Sequence, residues 1–319
     1  MMSSNPTSVL RWPRAAKVLL AWAGLSAAWL SPGTSRAQLF VAEDSVGRVE
    51  EYDATTGATI NANFISGLSG PFGLALSGGN IYVADKNTNK IGLYSATTGA
   101  AINANFITGL TKPVQITISA NNLYVVNGNA GTVGLYNATT GAAINSSLVT
   151  GLTNPTGLTL SGNNLYVSSL QNTVGEFNAT TGAAINASFL TGLNGPWGLA
   201  VAGNTLYLAN NGHIGTYNAT SGAAINANFI TASANGIALV GNSIYAAQTS
   251  SSIGLYDATT GATINANFVP GLTSPTTVAV AQAPEPAAGL LLGCAAIPAL
   301  LRRRRCQCRV LKKAAHAVA

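Results

Sequence analysis

Residues 81–122 read IYVADKNTNKIGLYSATTGAAINANFITGLTKPVQITISANN, and the chain writes this unit six times. The copies begin at Leu39, Ile81, Leu123, Leu165, Leu206 and Ile244, spaced by 42, 42, 42, 41 and 38 residues. Within the quoted copy, Ile81 to Asp85 is a short apolar run, and Lys86 to Lys90 is a polar turn. Ile91 to Ser95 follows as a second run, Ala101 to Phe106 as a third, and Val114 to Ser119 as a fourth. Four β-rich runs separated by Gly, Asn and Pro predict four strands joined by tight turns. A period in the forties with four strands per unit is the pattern of a β-propeller blade. The sequence therefore predicts an all-β, six-bladed propeller of four-stranded blades over residues 38–283.

The turns follow one chemistry. An (Asp/Asn/Ser)-Ala-Thr-(Thr/Ser)-Gly element recurs from Asp53, Ser95, Asn137, Asn178, Asn218 and Asp257. A short polar side chain can bond backbone amides two residues on, and Gly supplies a positive φ, so the element turns the chain. The ends predict how the ring shuts. The first copy starts directly at its second strand, Leu39-Phe40-Val41, while Thr277-Val278-Ala279-Val280 stands alone at the far end. Completing the first blade from both chain ends removes the two free sheet edges that an open array would expose. An open β-solenoid is the competing reading.

Segments such as Pro155-Thr156-Gly157-Leu158-Thr159-Leu160 followed by Asn164-Leu165-Tyr166-Val167 resemble NHL-type propeller repeats. That resemblance covers nearly all of 38–283 and implies a fold, not an activity.

Composition separates the ends from the middle. The whole chain carries +6, but only Arg48, Lys86, Lys90 and Lys112 lie between 38 and 283, against eight acids there. The repeat region is near −4, so the basic balance belongs to the ends, and nucleic-acid binding loses its support. Cysteine is absent from the repeats, since Cys294, Cys306 and Cys308 all lie in the tail. The domain must then draw its stability from its core and its closure.

A basic start through Lys17, an apolar run from Val18 to Leu30 and Ser35-Arg36-Ala37 predict a secretory signal peptide, residues 1–37, cut by signal peptidase. An uncleaved anchor is the alternative. Residues 284–319 resemble a PEP-CTERM sorting signal: Pro284-Glu285-Pro286, an apolar helix-forming stretch from Ala287 to Leu301, then Arg302, Arg303, Arg304 and Arg305. The resemblance implies a membrane-embedded exosortase-type protease as a partner, an exopolysaccharide-producing host, and a transiently anchored protein that ends on the surface or secreted. A plain tail anchor is the competing reading, and both place the propeller outside.

The candidate site is the upper face, where loops enter the innermost strand. Phe72 and Trp197 stand just before innermost strands on blades two and five, opposite each other across the mouth. Opposed aromatics can stack on sugar rings or plug the channel. His213, in a loop of the same blade as Trp197, joins them as a candidate ligand residue. One polar residue per blade ends the second strand: Glu43, Asp85, Asn127, Ser169, Asn210 and Gln248. Glu43 and Asp85 are the candidate metal ligands, for Ca²⁺ with amide oxygens; otherwise these residues simply end strands and face water. No catalytic residue is assigned. The leading expectation is a non-enzymatic binding module for polysaccharide or a surface protein, with no cofactor. A metal-dependent lyase or lactonase is the alternative, and edge-to-edge assembly through the outer strands is a third reading.

Overall fold

The computed structural model describes residues 36–282, which form twenty-four strands in six four-stranded antiparallel sheets. The segments expected to be a signal peptide, apart from Arg36 and Ala37, and a sorting tail lie outside the described residues. Strands β1 (Gln38–Glu43), β2 (Arg48–Asp53) and β3 (Thr59–Ile65) begin blade one. Blade two is β4 (Pro71–Ser77), β5 (Asn80–Asp85), β6 (Lys90–Ser95) and β7 (Ala101–Ile107). Blade three is β8 (Pro113–Ser119), β9 (Asn122–Asn127), β10 (Thr132–Asn137) and β11 (Ala143–Val149). Blade four holds β12 (Pro155–Ser161), β13 (Asn164–Ser169), β14 (Thr173–Asn178) and β15 (Ala184–Leu190). Blade five holds β16 (Leu199–Ala202), β17 (Thr205–Asn210), β18 (His213–Asn218) and β19 (Ala224–Ile230). Blade six holds β20 (Ala234–Val240), β21 (Ser243–Gln248), β22 (Ser252–Asp257) and β23 (Thr263–Val269).

The last strand, β24 (Pro275–Ala281), returns to pair with β1, so the sheet order of blade one is β24-β1-β2-β3. Its register runs from Gln38 opposite Ala281 to Ala42 opposite Thr277. The orphan Thr-Val-Ala-Val run is thus the innermost strand of the first blade, as the sequence predicts, and the ring is closed.

Second strands are buried almost end to end, because each face packs on a neighbouring blade. That is why they read as continuous apolar runs rather than as alternating ones. Between blades, apolar clusters join one second strand to the next; one gathers Tyr82, Ala84, Ile91, Ile116, Leu123 and Val125. The predicted turn chemistry is present. Asp53 Oδ1 accepts the amides of Thr55 and Thr56, both at 2.9 Å, and Asn137, Asn178, Asn218 and Asp257 repeat the pattern. The Gly that ends this element has a second duty. Gly99 sits at φ +70°, and a Cβ there would run into the Phe64 carbonyl oxygen of the preceding blade. The turn therefore docks on its neighbour's outer strand only because its last residue has no side chain.

A set of hydrogen bonds runs around the ring between blades. The second-strand tyrosine of one blade donates to the alanine carbonyl of the next blade's turn. The pairs are Tyr82 to Ala138 at 2.7 Å, Tyr124 to Ala179 at 3.1 Å and Tyr166 to Ala219 at 2.6 Å. Tyr207 to Ala258 at 2.8 Å continues it, and Tyr245 to Ala54 at 2.7 Å carries it across the closure. Phe40 occupies the tyrosine position of blade one without a hydroxyl to donate, and its ring packs on Phe64, with centroids 5.2 Å apart, as Tyr82 packs on Phe106. Each such bond contributes about 1 kcal/mol net.

Near the predicted cleavage point, the Ala37 carbonyl accepts the Ala54 amide at 2.9 Å. The other five blades make the same bond, as from Ala96 to Gly79 and from Ala138 to Asn121. The repeat pattern of bonding thus begins at Ala37, one residue before β1.

Candidate functional site at the mouth of the ring

Innermost strands start at the upper face, alongside the ends of the second strands; Pro71 stands opposite Asp85, and Pro113 opposite Asn127. The second residue of each innermost run therefore points at the mouth. In blades two and five these are Phe72 and Trp197. The two rings meet across the channel, with centroids 5.8 Å apart and planes inclined by 33°. Of the two uses open to opposed aromatics, the direct contact makes them a plug. Both remain partly exposed, so the plug presents an aromatic surface to solvent.

Below the plug the walls close in. Gly198 and Gly236 belong to adjacent innermost runs, and a Cβ on Gly198 would lie 2.9 Å from the Gly236 Cα. Hydroxyls tie the same layer together. Thr156 Oγ1 donates to the Pro196 carbonyl at 2.8 Å, and Thr276 Oγ1 lies 3.1 Å from the Phe72 carbonyl oxygen. The plug is thus mounted on a bonded collar.

Beside it lies a cleft of about 150 Å³ on the side of blades two to four, lined by Phe72, Trp197, Lys86, Lys112, Asn129 and Leu170 among others. Lys86 Nζ sits 4.8 Å from the Phe72 ring centre and 2.5 Å from Asp44 Oδ2. A cation over an aromatic face is attracted by the ring's negative centre, so Lys86 fixes Phe72 in place. Lys112 is exposed and makes no ion pair among the described residues. Aromatic faces, side-chain amides and a free cation give the cleft the means to hold a polar polymer that also has apolar faces.

The six residues that end the second strands behave otherwise than the sequence suggests. None faces water: Glu43 is 0% exposed, Asp85 2%, Asn127 4%, Ser169 7%, Asn210 2% and Gln248 8%. Several of them hold the loop that enters their own blade. Asp85 accepts the amides of Ser69 and Gly70 at 3.1 and 3.0 Å. Glu43 accepts that of Thr273 at 2.9 Å, which pins the loop leading into β24. Ser169 donates to the Thr153 carbonyl. A loop arriving from the previous blade brings amides without strand partners, and a buried acceptor at the strand end satisfies them. That need explains Glu43 and Asp85, whereas the buried Oδ1 atoms of Asn127 and Asn210 at the same position have no hydrogen-bond partner among the described residues.

Burial pushes the Glu43 carboxyl above its usual range, and Glu50 adds to this, while the Thr273 amide and Arg48 draw it back. Asp85 thus spends both oxygens on its own blade, whereas Glu43 spends Oε1 only, its buried Oε2 having no hydrogen-bond partner among the described residues and Arg48 Nη2 at 3.9 Å. Among the described residues there is no group of three or more His, Cys, Asp or Glu side chains placed to hold a metal. His213 opens β18, where its Nε2 lies 3.4 Å from Asn210 Nδ2. It is not among the cleft-lining residues, so the structure joins Phe72 to Trp197 but leaves His213 apart. Lys86, Lys112 and Leu170 are the cleft residues that sequence reasoning missed. Their signal was position: each lies at or next to the turn beside an innermost strand's start.

The family model described as outer membrane protein assembly factor BamB matches residues 45–267. Among solved structures, a chain of the nidogen/laminin complex is 15% identical with a TM-score of 0.65, covering 77% of this chain and 99% of that one. BamB from Moraxella catarrhalis is 16% identical with a TM-score of 0.45, covering 76% of each chain. No curated protein matches the chain. The expectation for the repeats is the NHL type; the family model that matches is that of BamB.

Proposed function

We propose a non-enzymatic binding function, at the mouth of the ring, for this chain, which belongs to the outer membrane protein assembly factor BamB family. The observation that carries the reading is the Phe72–Trp197 pair, fixed by Lys86 and the collar beneath it, at the edge of a cleft with amides and a free lysine. Rigid aromatics with polar neighbours grip a ligand without having to reorganise. Both Asp85 oxygens and Glu43 Oε1 are taken up by loop amides, which favours binding over metal-assisted chemistry at the same face. The ligand is a polysaccharide or a surface protein. We read residues 1–37 as the export signal and 284–319 as the sorting signal, with signal peptidase and an exosortase-type protease as processing partners. The family's description as an assembly factor for an outer membrane supports a location outside the cytoplasm.

The test is binding of the protein to the host's extracellular polysaccharide, with Trp197→Ala as the paired form. Loss of one stacking aromatic should weaken binding by about tenfold. Equal binding by both forms would move the site off the mouth. Binding by neither would dismiss the polysaccharide and leave a protein ligand.

A further inference from the structure

The outer rim carries a pattern that the mouth does not explain. The sheet orders leave β3, β7, β11, β15, β19 and β23 as the outermost strands, each paired on one side only. All six read as variants of Ala-Ile-Asn-Ala-Asn-Phe-Ile, and none contains an ionisable residue. Edge strands are ordinarily protected by charge, especially lysine, or by proline. Here the protection is a bulge alone: Glu51 pairs Asn61 but Val49 pairs Ile65, and the other blades repeat the shift. Lys90 reaches one of these strands, at Asn105.

Each outer strand also exposes one large apolar side chain at the same position. Ile60, Ile102, Ile144, Ile185, Ile225 and Ile264 are between 48% and 59% exposed. The described residues expose only two other large apolar side chains to a comparable degree, Val46 and Leu170. Scattered apolar residues on a surface need no explanation, but six of eight at one repeat position do.

The same molecule carries recesses between its blades, one of them walled in part by the exposed Ile225. Between blades five and six, Tyr207, Ile225, Phe229, Ala258 and Thr259 line a groove of about 370 Å³. Between blades two and three, Tyr82, Leu93, Ala138 and Thr139 line another of about 220 Å³. Both lie beside a tyrosine-to-alanine bond, which recurs around the ring. We propose that the rim is a homotypic interface, in which isoleucines of one ring's outer strands seat in the interblade grooves of another copy. Three features select a second copy as the occupant. Knob and recess are both present on this chain, the strip lacks the charges that would repel a like surface, and the exposed isoleucine recurs on every blade. A knob that fits a recess elsewhere on the same molecule makes a heterologous contact, which propagates rather than closes. The expected product is therefore an extended lateral array rather than a dimer.

Sedimentation velocity of the full chain over a concentration series tests this, against a variant with all six isoleucines changed to threonine. Threonine keeps the branched shape that strands favour while removing the apolar knob. The wild type should show a weight-average mass that climbs with concentration and exceeds the variant's by about twofold or more, with matching circular dichroism spectra. If the sixfold variant fails to fold, Ile60→Thr, Ile144→Thr and Ile225→Thr combined serve in its place, and an intermediate mass is expected. Superimposable sedimentation of wild type and a folded variant overturns the proposal, because any association through other segments is common to both.

Discussion

Blade one and the other five are built from one repeat, yet they solve the same packing problem with different chemistry. In blades two to six the third strand has Gly two residues before its aromatic, and the ring folds back over it; a Cβ on Gly92 would lie 2.5 Å from Tyr94 Cε2. Blade one has Glu50 in that place. Glu50 is 2% exposed, pairs with Arg48 and accepts the Tyr52 hydroxyl. Arg48 Nη2 also stands 3.9 Å from Glu43 Oε2. Five of the eight acids between 38 and 283 (Glu43, Asp44, Glu50, Glu51 and Asp53) fall in this blade. It is also the blade that lacks the second-strand tyrosine. The difference teaches that a blade assembled from both chain ends is not free to repeat its neighbours. Glu43 holds the incoming loop as Asp85 does in blade two, but only in blade one do Arg48 and Glu50 add a buried charge pair in place of the glycine.

The sharpest break in this comparison is to end the chain at Ser274, which removes β24. Val278 and Ala279 are buried core residues, and β1 would become a bare edge. The expected cost exceeds about 5 kcal/mol, the scale of a whole domain's stability, so the cooperative thermal transition should vanish from circular dichroism melts. A transition that persists would mean the ring does not depend on its seam.

Glu50→Gly comes next, since it writes the regular residue into the irregular blade. Arg48 then loses its partner, and stability should fall by about 2–3 kcal/mol, below the full cost for a buried pair because Arg48 is partly solvated. Adding Arg48→Thr, which copies Thr132 and Gly134 of blade three, should restore most of that loss. Guanidinium midpoints decide the matter, and no recovery would show that the cluster does more than balance its own charges.

Smaller effects belong to the tyrosine bonds. Tyr245→Phe removes the bond across the closure and should cost about 1 kcal/mol. Phe40→Tyr offers the Ala96 carbonyl a donor and should return about 0.5–1 kcal/mol. Melting temperatures should move by about 2–4 °C per kcal/mol for a domain of this size.

The smallest prediction concerns pH. Burial raises the Glu176 carboxyl above its usual 4.5, with Tyr166 drawing it back. A carboxyl raised by folding favours the protonated form, so its contribution is best below the unfolded value and declines as pH climbs through the folded one. Glu176→Gln should therefore leave the melting temperature at pH 4 unchanged and raise it at pH 7 by about 1–2 °C. The same change at both pH values would refer the effect to packing rather than to charge.

Much of this architecture was legible before any coordinates. The period, the four runs and the orphan Thr277-Val278-Ala279-Val280 suffice for six blades and a two-ended closure, because each is a matter of spacing. Phe72 and Trp197 could be placed on opposite blades by counting alone, but not in contact, since the width of the channel depends on how closely neighbouring innermost strands approach. Glu43, Asp85 and their relatives were misjudged as facing water. Strand ends are usually solvated, and nothing local in the sequence shows that a loop from the previous blade covers them. The ring of tyrosine bonds left a trace that went unread: tyrosine follows the first apolar residue in five copies, and alanine always opens the turn.

The register that sets Gln38 opposite Ala281 has a consequence in time. Five blades close over a few dozen residues each, so their contacts are cheap to find and can form as the chain emerges. The first three strands can pack one face on blade two, but the face turned to blade six, with Leu39, Val41 and Tyr52, stays uncovered until nearly the last residue of the ring arrives. Blade one is first in sequence and last to be completed, and for that interval its open face is the part of the protein most in need of shelter.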